Sequence, residues 1–528
     1  MRLAPNRPLL VICLAVALFA VAVGQSSLSV QRVRIFTRGG VSFSSDVQKA
    51  AAKKPVSFGR KDSSPLAAWI AGRMAHALSL EPETAKTALY SGAWGLLVAL
   101  VFASLCLYVA WPFALFGAGT LMLHPQWVQR LSETAPYAST AVDLLVPTLL
   151  ALMALHSRRW LRFSLLALSG LWAGSAVFAH HLGLFCAVGL VASLALAGDR
   201  DVRRSPGIPL ARHGFELLVL TMTMAVGFIA VYKMTGVKGK ALIDFIFGPL
   251  AADHPPFALN GTVYLQGTSG EPPLWVAGWL WLVRTPPMLL LGGCMAALAL
   301  KARTLGGNFA ALWLVAANLL VVGLVATLSG STLYFPGLDL MPVLAVYSVL
   351  LGSYGLAGFW RHLRGRLLDG RKVEVALLLV PPLLALGHQA VIVSQHSPYT
   401  AAYANVLGGS TGAFTARGNT LFAEPAIDSW APEALPDGAH KIAVVPWGKG
   451  AQGVLRAASR EAGIKKPVHA REGGPRPTII LYAPAWHYSR TAYSYCNEQQ
   501  TLASLNAGST PLWCIVQFQQ RKIWSPNR

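Results

Sequence analysis

The sequence predicts an all-α polytopic membrane protein with about eleven transmembrane helices and a small α/β domain at its C-terminal end. Of the 528 residues, 54% are hydrophobic and 12% are charged, against roughly 25% charged in an ordinary soluble domain. Apolar stretches of the ~20 residues that a bilayer core requires recur as far as residue 394. This composition excludes a disordered chain and disfavours a soluble enzyme.

The predicted spans begin with an apolar run at 8–24, which follows the basic residues Arg2 and Arg7. A cleaved signal peptide is the alternative, but the further apolar segments favour a retained first span. The other spans are predicted at 88–106, 109–124, 142–157, 163–179, 182–198, 215–233, 285–301, 308–329, 334–358 and 373–394.

The distribution of basic residues predicts the topology. The formal net charge of +22 would suggest a nucleic-acid partner on a soluble protein, but here arginine and lysine cluster in alternate loops. By the positive-inside rule the N-terminus is cytoplasmic, and the polar segments 25–87, 234–284 and 395–528 lie outside. Membrane lipids are therefore predicted partners and nucleic acid is not.

The polar tail, 395–528, is predicted to be a separate domain from the transmembrane region, 1–394. Apolar runs at 442–446, 478–484 and 512–518, with an amphipathic stretch at 453–462, have the spacing of a small α/β domain. In an oxidising compartment Cys496 and Cys514 are candidates for a disulfide, with two free thiols as the alternative.

Asp46 is the one acidic residue before Lys61 in a basic stretch of the first outer segment. Two serines precede it and a helical pattern follows, so the residues alone predict that Asp46 opens a short helix as its N-cap. A functional carboxylate is the alternative interpretation.

Three later segments carry a resemblance to a known family. These are TVYLQGTSGEPPLWVAGWLWLVRTPP (262–287), TLYFPGLDLMPVLAV (332–346) and HSPYTAAYANVLGGSTGAF (396–414). They resemble segments of the protein O-mannosyltransferase family and of related bacterial GT-C membrane enzymes, which transfer sugars from polyprenyl phosphate. The last segment is the most specific because its proline, tyrosines, asparagine and glycines match together.

The resemblance implies a GT-C-like helical bundle and specific roles for several residues. Asp46 matches the family's catalytic acidic position, where a general base takes the proton of an acceptor hydroxyl. Asp143 resembles the second acidic position, which Glu133 fills under another alignment; an acid favoured at a helix start is the alternative for Asp143. Arg284 occupies the place of the family's lysine and is expected to bind the donor phosphate, with a snorkelling side chain as the alternative.

The sequence also departs from the family pattern. Val47 replaces the second acid of the first motif, and Ser63 or Ser64 replaces its histidine. His180 and His181 replace the expected lysine, at a predicted outer turn where they are expected to bind phosphate. A divalent metal ion is the alternative there, but adjacent histidines on a helix point in different directions. No other cofactor is predicted, and no glycine-rich nucleotide loop is present.

These features together predict a glycosyltransferase that moves a sugar from a polyprenyl-phosphate donor to a hydroxyl acceptor at the outer face of a bacterial inner or plasma membrane. The acceptor is a protein, a lipid or a glycan. Two alternatives remain: a transporter or flippase for a lipid-linked sugar, and a non-catalytic homologue that binds lipid or a partner protein.

Overall fold

A computed structural model provides the structure of the protein. It describes residues 8–32, 35–54, 56, 64–132, 137–157, 159–180, 182–202, 208–248, 257–259, 262–264, 275–301, 309–328, 337–367, 371–396, 403–408, 426–428, 442–445, 479–482, 501–507 and 510–517. Four predicted features lie outside these residues: the amphipathic stretch 453–462, Glu133, His181 and Cys496.

The described residues form sixteen helices. These are α1 (Pro8–Arg32), α2 (Arg38–Ala51), α3 (Pro65–Ala77), α4 (Pro82–Cys106), α5 (Trp111–Met122), α6 (Pro125–Ser132), α7 (Tyr137–His156), α8 (Arg159–Ala176), α9 (Gly183–Val202), α10 (Ile208–Thr235), α11 (Gly239–Phe247), α12 (Val276–Arg284), α13 (Pro287–Lys301), α14 (Phe309–Leu328), α15 (Gly337–Leu367) and α16 (Arg371–His396).

Each predicted span overlaps one of these helices. Five helices, α1, α4, α7, α10 and α15, are long and apolar enough to cross a membrane, and α5, α9, α13 and α14 contain shorter apolar stretches. These helices indicate an integral membrane protein; the count of about eleven spans and their orientation stay predictions. In α7, 89% of the apolar window is buried inside the protein, against 11% in α1 and 17% in α10. Helix α7 is therefore central, whereas α1 and α10 are peripheral.

Two predicted boundaries in the first outer segment are wrong. Helix α4 begins at Pro82 rather than near residue 88, so Lys86 lies within the helix and is buried. Asp46 lies in the last part of α2 and does not open it, because the helix already begins at Arg38. The glycines and β-branched valine of the sequence RGGVSF weaken a helical pattern, which explains why the sequence pattern placed the start too late.

Glycines allow two pairs of helices to approach closely. A Cβ on Gly355 of α15 would lie 1.8 Å from the carbonyl oxygen of Gly292 on α13, and a Cβ on Gly174 of α8 would lie 2.1 Å from that of Met224 on α10. Small residues at such crossings let helices in a membrane gain close van der Waals contact. These contacts position α8 and α15 against their neighbours.

The C-terminal part of the chain contributes a sheet. The strands are β1 (Ile35–Thr37), β2 (Phe257–Leu259), β3 (Thr262–Tyr264), β4 (Ala426–Asp428), β5 (Ile442–Val445), β6 (Ile479–Tyr482), β7 (Thr501–Ala507) and β8 (Thr510–Gln517). The order β5-β6-β8-β7 forms one sheet in which β5 and β6 are parallel and the other pairs are antiparallel. The three predicted apolar runs are therefore strands, and β7 is one that the sequence analysis missed.

Two further features concern the tail. Strand β4 pairs antiparallel with β1, which directly precedes α2, so the tail contacts the segment that carries Asp46. Cys514 is buried and disulfide-bonded, whereas the other four described cysteines are free. The α/β character of the tail and its boundary at residue 395 stay predictions.

Candidate functional site

Two buried arginines, one on α6 and one on α12, lie near enough for their charges to interact. Arg130 of α6 and Arg284 at the end of α12 are each 4% exposed. Burial, followed by the charge of Arg130, lowers the pKa of Arg284 to about 10, so Arg284 keeps its proton at neutral pH. Two like charges in a poorly hydrated place repel each other, and a bound anion would stabilise both. We call Arg130 and Arg284 the arginine pair.

Helix α6 is held in place by its neighbours. It begins with Pro125, which is favoured at the first position of a helix. The indole N–H of Trp127 donates a hydrogen bond of 3.1 Å to the carbonyl oxygen of Pro342 on α15. Because Trp127 is fully buried, this bond fixes the rotation of α6 and therefore the direction in which Arg130 leaves it.

Asn405 fastens the segment after α16 to the end of α12. Its side-chain amide donates to the carbonyl oxygens of Leu282, at 2.6 Å, and Thr285, at 2.8 Å. Its backbone N–H donates to the carbonyl oxygen of Val283 at 2.8 Å. These carbonyl groups at a helix C-terminus have few partners within the helix. Asn405 therefore caps α12 and holds the turn that carries Arg284.

A second polar group surrounds Asp143 on α7. The indole N–H of Trp172 on α8 donates to Asp143 Oδ1 at 3.2 Å. One turn earlier, the hydroxyl of Thr140 donates at 3.3 Å to the hydroxyl oxygen of Ser64, which in turn donates to the carbonyl oxygen of Ala179 at 3.0 Å. Asp143 is 8% exposed and Ser64 is 3% exposed. These hydrogen bonds join three chain segments that are distant in sequence.

His180 directly follows Ala179, as the sequence analysis expected for a turn between two helices. It is buried, and its Nδ1 accepts a hydrogen bond of 3.2 Å from the backbone N–H of Leu182. Neutral imidazole with an accepting Nδ1 carries its proton on Nε2. Within the described ranges, no group of three histidine, cysteine or acidic side chains has the arrangement to hold a metal ion.

Asp46 has a buried carboxylate whose two oxygens differ in their hydrogen bonding among the described residues. Its Oδ1 accepts a 3.0 Å bond from Lys49 Nζ, one turn later in α2. Its Oδ2 is also buried, and among the described residues it has no hydrogen-bond partner. The residue is 1% exposed. A buried anionic oxygen without a donor is costly, so this oxygen is suited to accept a proton or a hydrogen bond from a bound molecule.

Helix α2 is fixed to the start of α4 by two residues just before Asp46. The ring of Phe43 stacks on that of Tyr90 with centroids 5.7 Å apart. Lys86 Nζ donates to the hydroxyl of Ser44 at 2.8 Å and pairs with Glu83 at 2.5 Å. These contacts make α2 a packed element of the bundle, so Asp46 has a defined position.

The predicted site residues fall into three groups. Ser64, Asp143 and His180 lie on or next to the segments that the Thr140–Ser64–Ala179 hydrogen bonds join, Arg284 belongs to the arginine pair, and Asp46 lies on α2. Helices α6 and α7 are separated by residues 133–136 alone, so Arg130 and Asp143 lie at the same end of the bundle, which we call the α6 end. Asp46 adjoins this end through α3, which follows Ser64, and its ion pair lies within α2. The functional roles of these residues stay predictions.

Four buried polar residues at the α6 end were not predicted from the sequence: His124, Arg130, Gln389 and Asn405. Asn405 lies in the matched segment 396–414, but no role followed from the match. Gln389 is a lone amide in a predicted apolar span, which is a usable signal because such groups are expensive inside a membrane. Arg130 and His124 gave no signal, since a short amphipathic helix such as α6 is typical of any surface.

The fold and these polar groups define a polytopic membrane protein with a buried, positively charged centre at one end of its helical bundle. No family model matches the chain, and no curated protein matches it. The chain is similar to two solved structures of ArnT from Cupriavidus metallidurans. The one bound to undecaprenyl phosphate is 14% identical with a TM-score of 0.47, over 97% of this chain and 98% of that one. The apo form is 14% identical with a TM-score of 0.44, over 95% and 97%.

Proposed function

We propose that this protein is a membrane glycosyltransferase that moves a sugar from a polyprenyl phosphate to a hydroxyl acceptor. The observation that carries the proposal is the arginine pair, because two buried guanidinium groups match the charge of a phosphate ester and of the phosphate that leaves it. The resemblance of segments 262–287 and 396–414 to polyprenyl-phosphate-dependent enzymes names the lipid class.

The reaction requires a base and an anion site. The acceptor oxygen attacks the anomeric carbon while the bond from that carbon to the phosphate oxygen breaks, and the phosphate keeps the electron pair. Asp46 takes the hydroxyl proton on Oδ2, the buried oxygen without a partner among the described residues. Arg284 and Arg130 stabilise the growing negative charge on the leaving phosphate.

Three other predicted residues have supporting roles in this proposal. In this proposal Asp143, which Trp172 orients, accepts a hydrogen bond from the sugar or the acceptor. His180 is held with Nε2 protonated, which suits a donor to phosphate oxygen. His181 keeps its expected phosphate role as part of the proposal. The site would face the outside of the membrane, with the tail 395–528 beside it.

The test of the proposal is a transfer assay on the purified full chain in lipid nanodiscs, with radiolabelled polyprenyl-phosphate sugars and membrane extract as the source of acceptors. We expect label in product, and we expect Asp46→Asn to lower turnover by a factor on the order of 10² to 10⁴, the contribution of general base catalysis. The absence of product with every donor would contradict the proposal.

A matched control separates catalysis from packing. Lys49→Met breaks the same ion pair but keeps the carboxylate, so we expect it to lower turnover only a few-fold. Asp244→Asn changes an exposed carboxylate of α11 and is expected to leave turnover unchanged. If Lys49→Met were as inactive as Asp46→Asn, the ion pair would be structural and Asp46 would not be the base. Movement of labelled lipid across vesicles without product would identify a flippase.

A further inference from the structure

Two side chains at the α6 end are buried with hydrogen-bonding atoms unused. His124 is 1% exposed and Gln389 is 2% exposed. Among the described residues, His124 Nε2 and both amide atoms of Gln389 have no hydrogen-bond partner. Leaving such atoms unsatisfied inside a protein is costly, and each case calls for a ligand, a water molecule or a functional reason.

The protonation of His124 follows from its one internal bond. The backbone N–H of Gln126 donates to His124 Nδ1 at 3.3 Å. In a neutral imidazole the other nitrogen then carries the proton, so Nε2 is a donor. Gln389 offers a donor and an acceptor from one amide. His124 and Gln389 together therefore offer an imidazole N–H donor, an amide N–H donor and an amide oxygen acceptor, and neither side chain carries a formal charge.

Helix packing places the two residues at the same level of the bundle. A Cβ on Gly119 of α5 would lie 3.1 Å from Leu386 Cδ2 of α16, so these residues are directly opposed. His124 lies just past the end of α5 at Met122, one turn beyond Gly119, and Gln389 follows Leu386 by about 5 Å along α16. Gln389 lies on the buried stripe of α16, with Ala385 and Ile392 one turn away on either side.

The two helices run in the same direction, since both lead toward the arginine pair. Helix α5 continues through His124 into α6, which carries Arg130. Helix α16 ends at His396, whose ring packs edge-on against Tyr403 at 5.5 Å. Asn405 then bonds to the residues flanking Arg284. His124 therefore directly precedes the helix that carries Arg130, and Gln389 lies two turns before the end of the helix that leads to Asn405.

We infer that His124 and Gln389 form a subsite for hydroxyl groups of the donor sugar, beside the arginine pair that binds its phosphate. This inference rests on the proposed function and adds the residues that recognise the sugar. A sugar hydroxyl both donates and accepts hydrogen bonds, so it satisfies the imidazole N–H and both atoms of the amide. The His124 imidazole and the Gln389 amide carry no formal charge, so they suit the neutral sugar, whereas Arg130 and Arg284 suit the anionic phosphate.

The experiment compares binding of two probes to the full chain in nanodiscs. One probe is undecaprenyl phosphate, and the other is undecaprenyl phosphate carrying mannose, glucose or arabinose. We expect the wild-type protein to bind at least one sugar-bearing probe more tightly than the bare phosphate. We expect His124→Phe and Gln389→Leu each to remove most of that difference, about a tenfold change, without changing affinity for undecaprenyl phosphate.

Stability and a control variant distinguish the subsite from a structural role. Because both amide atoms of Gln389 are unused among the described residues, Gln389→Leu is expected to keep or raise the melting temperature. His124→Phe also removes the acceptor of the Gln126 N–H, so its melting temperature is expected to fall and the binding preference is its diagnostic measurement. Gln389→Met is a second variant for the case that leucine does not fit. Asn318→Leu removes a buried amide that already donates to Leu314 at 3.0 Å, so it is expected to lower the melting temperature and leave the binding preference unchanged.

The outcomes separate this inference from the proposed function. If the wild-type protein bound neither probe, the proposed function itself would fail. If it bound bare and sugar-bearing lipids equally for all three sugars, or if both variants kept the wild-type preference, the subsite would be wrong and buried water would satisfy the two groups. An equal loss of affinity for both probes would also contradict it, because that result belongs to the phosphate site.

Discussion

Buried charged side chains are arranged differently near the two ends of α7. At the end marked by His156, Arg162 of α8 donates from Nη2 to Oε2 of Glu216 on α10 at 2.6 Å, so opposite charges neutralise each other inside the protein. At the α6 end, about 30 Å away along the helix, the arginine pair brings like charges together. The first arrangement is complete within the protein and stabilises helix packing. In the proposed function the second arrangement also binds the donor phosphate.

The largest expected effect is on stability at the ion-paired end. Glu216→Ala leaves Arg162, a side chain only 20% exposed, without its countercharge, and we expect the free energy of unfolding to fall by about 3 kcal/mol. Thermal unfolding in detergent measures it. The double variant Arg162→Met with Glu216→Leu is expected to recover most of the loss, since an apolar pair can replace a buried ion pair. Turnover per folded molecule should not change.

A loss of stability in Glu216→Ala would support the difference between the two ends of α7. A Glu216→Ala protein as stable as the wild type would mean that the pair contributes nothing to α8–α10 packing. The close contact of Gly174 with Met224 would then be the main attachment between these helices.

The next effect is on ligand binding at the arginine pair. Arg284→Ala is expected to weaken binding of undecaprenyl phosphate by about 2 kcal/mol, roughly thirtyfold, because a charge-assisted hydrogen bond is lost. The melting temperature without ligand is expected to fall less than in Glu216→Ala, since repulsion from Arg130 is removed. A lipid titration and a thermal scan measure the two quantities.

Variants of the same pair provide the control. Arg130→Ala is expected to resemble Arg284→Ala, and Arg284→Lys to keep the charge but lose bidentate contact, with an intermediate affinity. Unchanged affinity in both alanine variants would remove the arginine pair from the site. A fall in stability matching that of Glu216→Ala would show that the two ends do not differ as described.

The smallest expected effect concerns the residue that positions Arg284. Asn405→Leu removes the two amide donors that cap α12, so Arg284 is held less precisely. We expect the KM for donor to rise about tenfold with kcat changed less than about threefold. Steady-state kinetics over a range of donor concentrations measures both.

The matched control for this variant is Asn318→Leu, which removes one buried amide donor from α14. It is expected to lower stability by a comparable amount, about 1 kcal/mol, without the change in KM. Equal kinetic effects in the two variants would mean that Asn405 acts through general stability and does not position Arg284.

The sequence predicted the helical regions well because hydrophobicity alone determines them. Each apolar stretch long enough to span a bilayer is a helix, since backbone groups in hydrocarbon must be satisfied within the segment. Three of the tail strands, β5, β6 and β8, were predicted from apolar runs of the right length. The start of α2 was not, because helix propensity there is weak and packing of Phe43 and Val47 in the core compensates for it.

For the candidate site, the sequence marked residues whose chemistry is unusual for their surroundings. Asp46 among basic residues and Arg284 beside an apolar segment are of this kind. Gln389, a lone amide in an apolar span, also carried such a signal, whereas Arg130, His124 and Asn405 are ordinary in their local sequence. Their interest lies in burial and in partners from distant segments, such as the bonds from Asn405 to Leu282 and Thr285.

Composition and hydropathy by themselves determined a chain of membrane-spanning helices followed by a polar tail that contains strands, because transfer of apolar side chains from water depends on local sequence. Only the tertiary structure decided which polar groups are buried together. The proximity of Arg130 to Arg284 and the unused oxygen of Asp46 depend on how α2, α6 and α12 pack. Electrostatic and hydrogen-bond energies depend on distance and burial, and distances between segments far apart in the chain are set by packing.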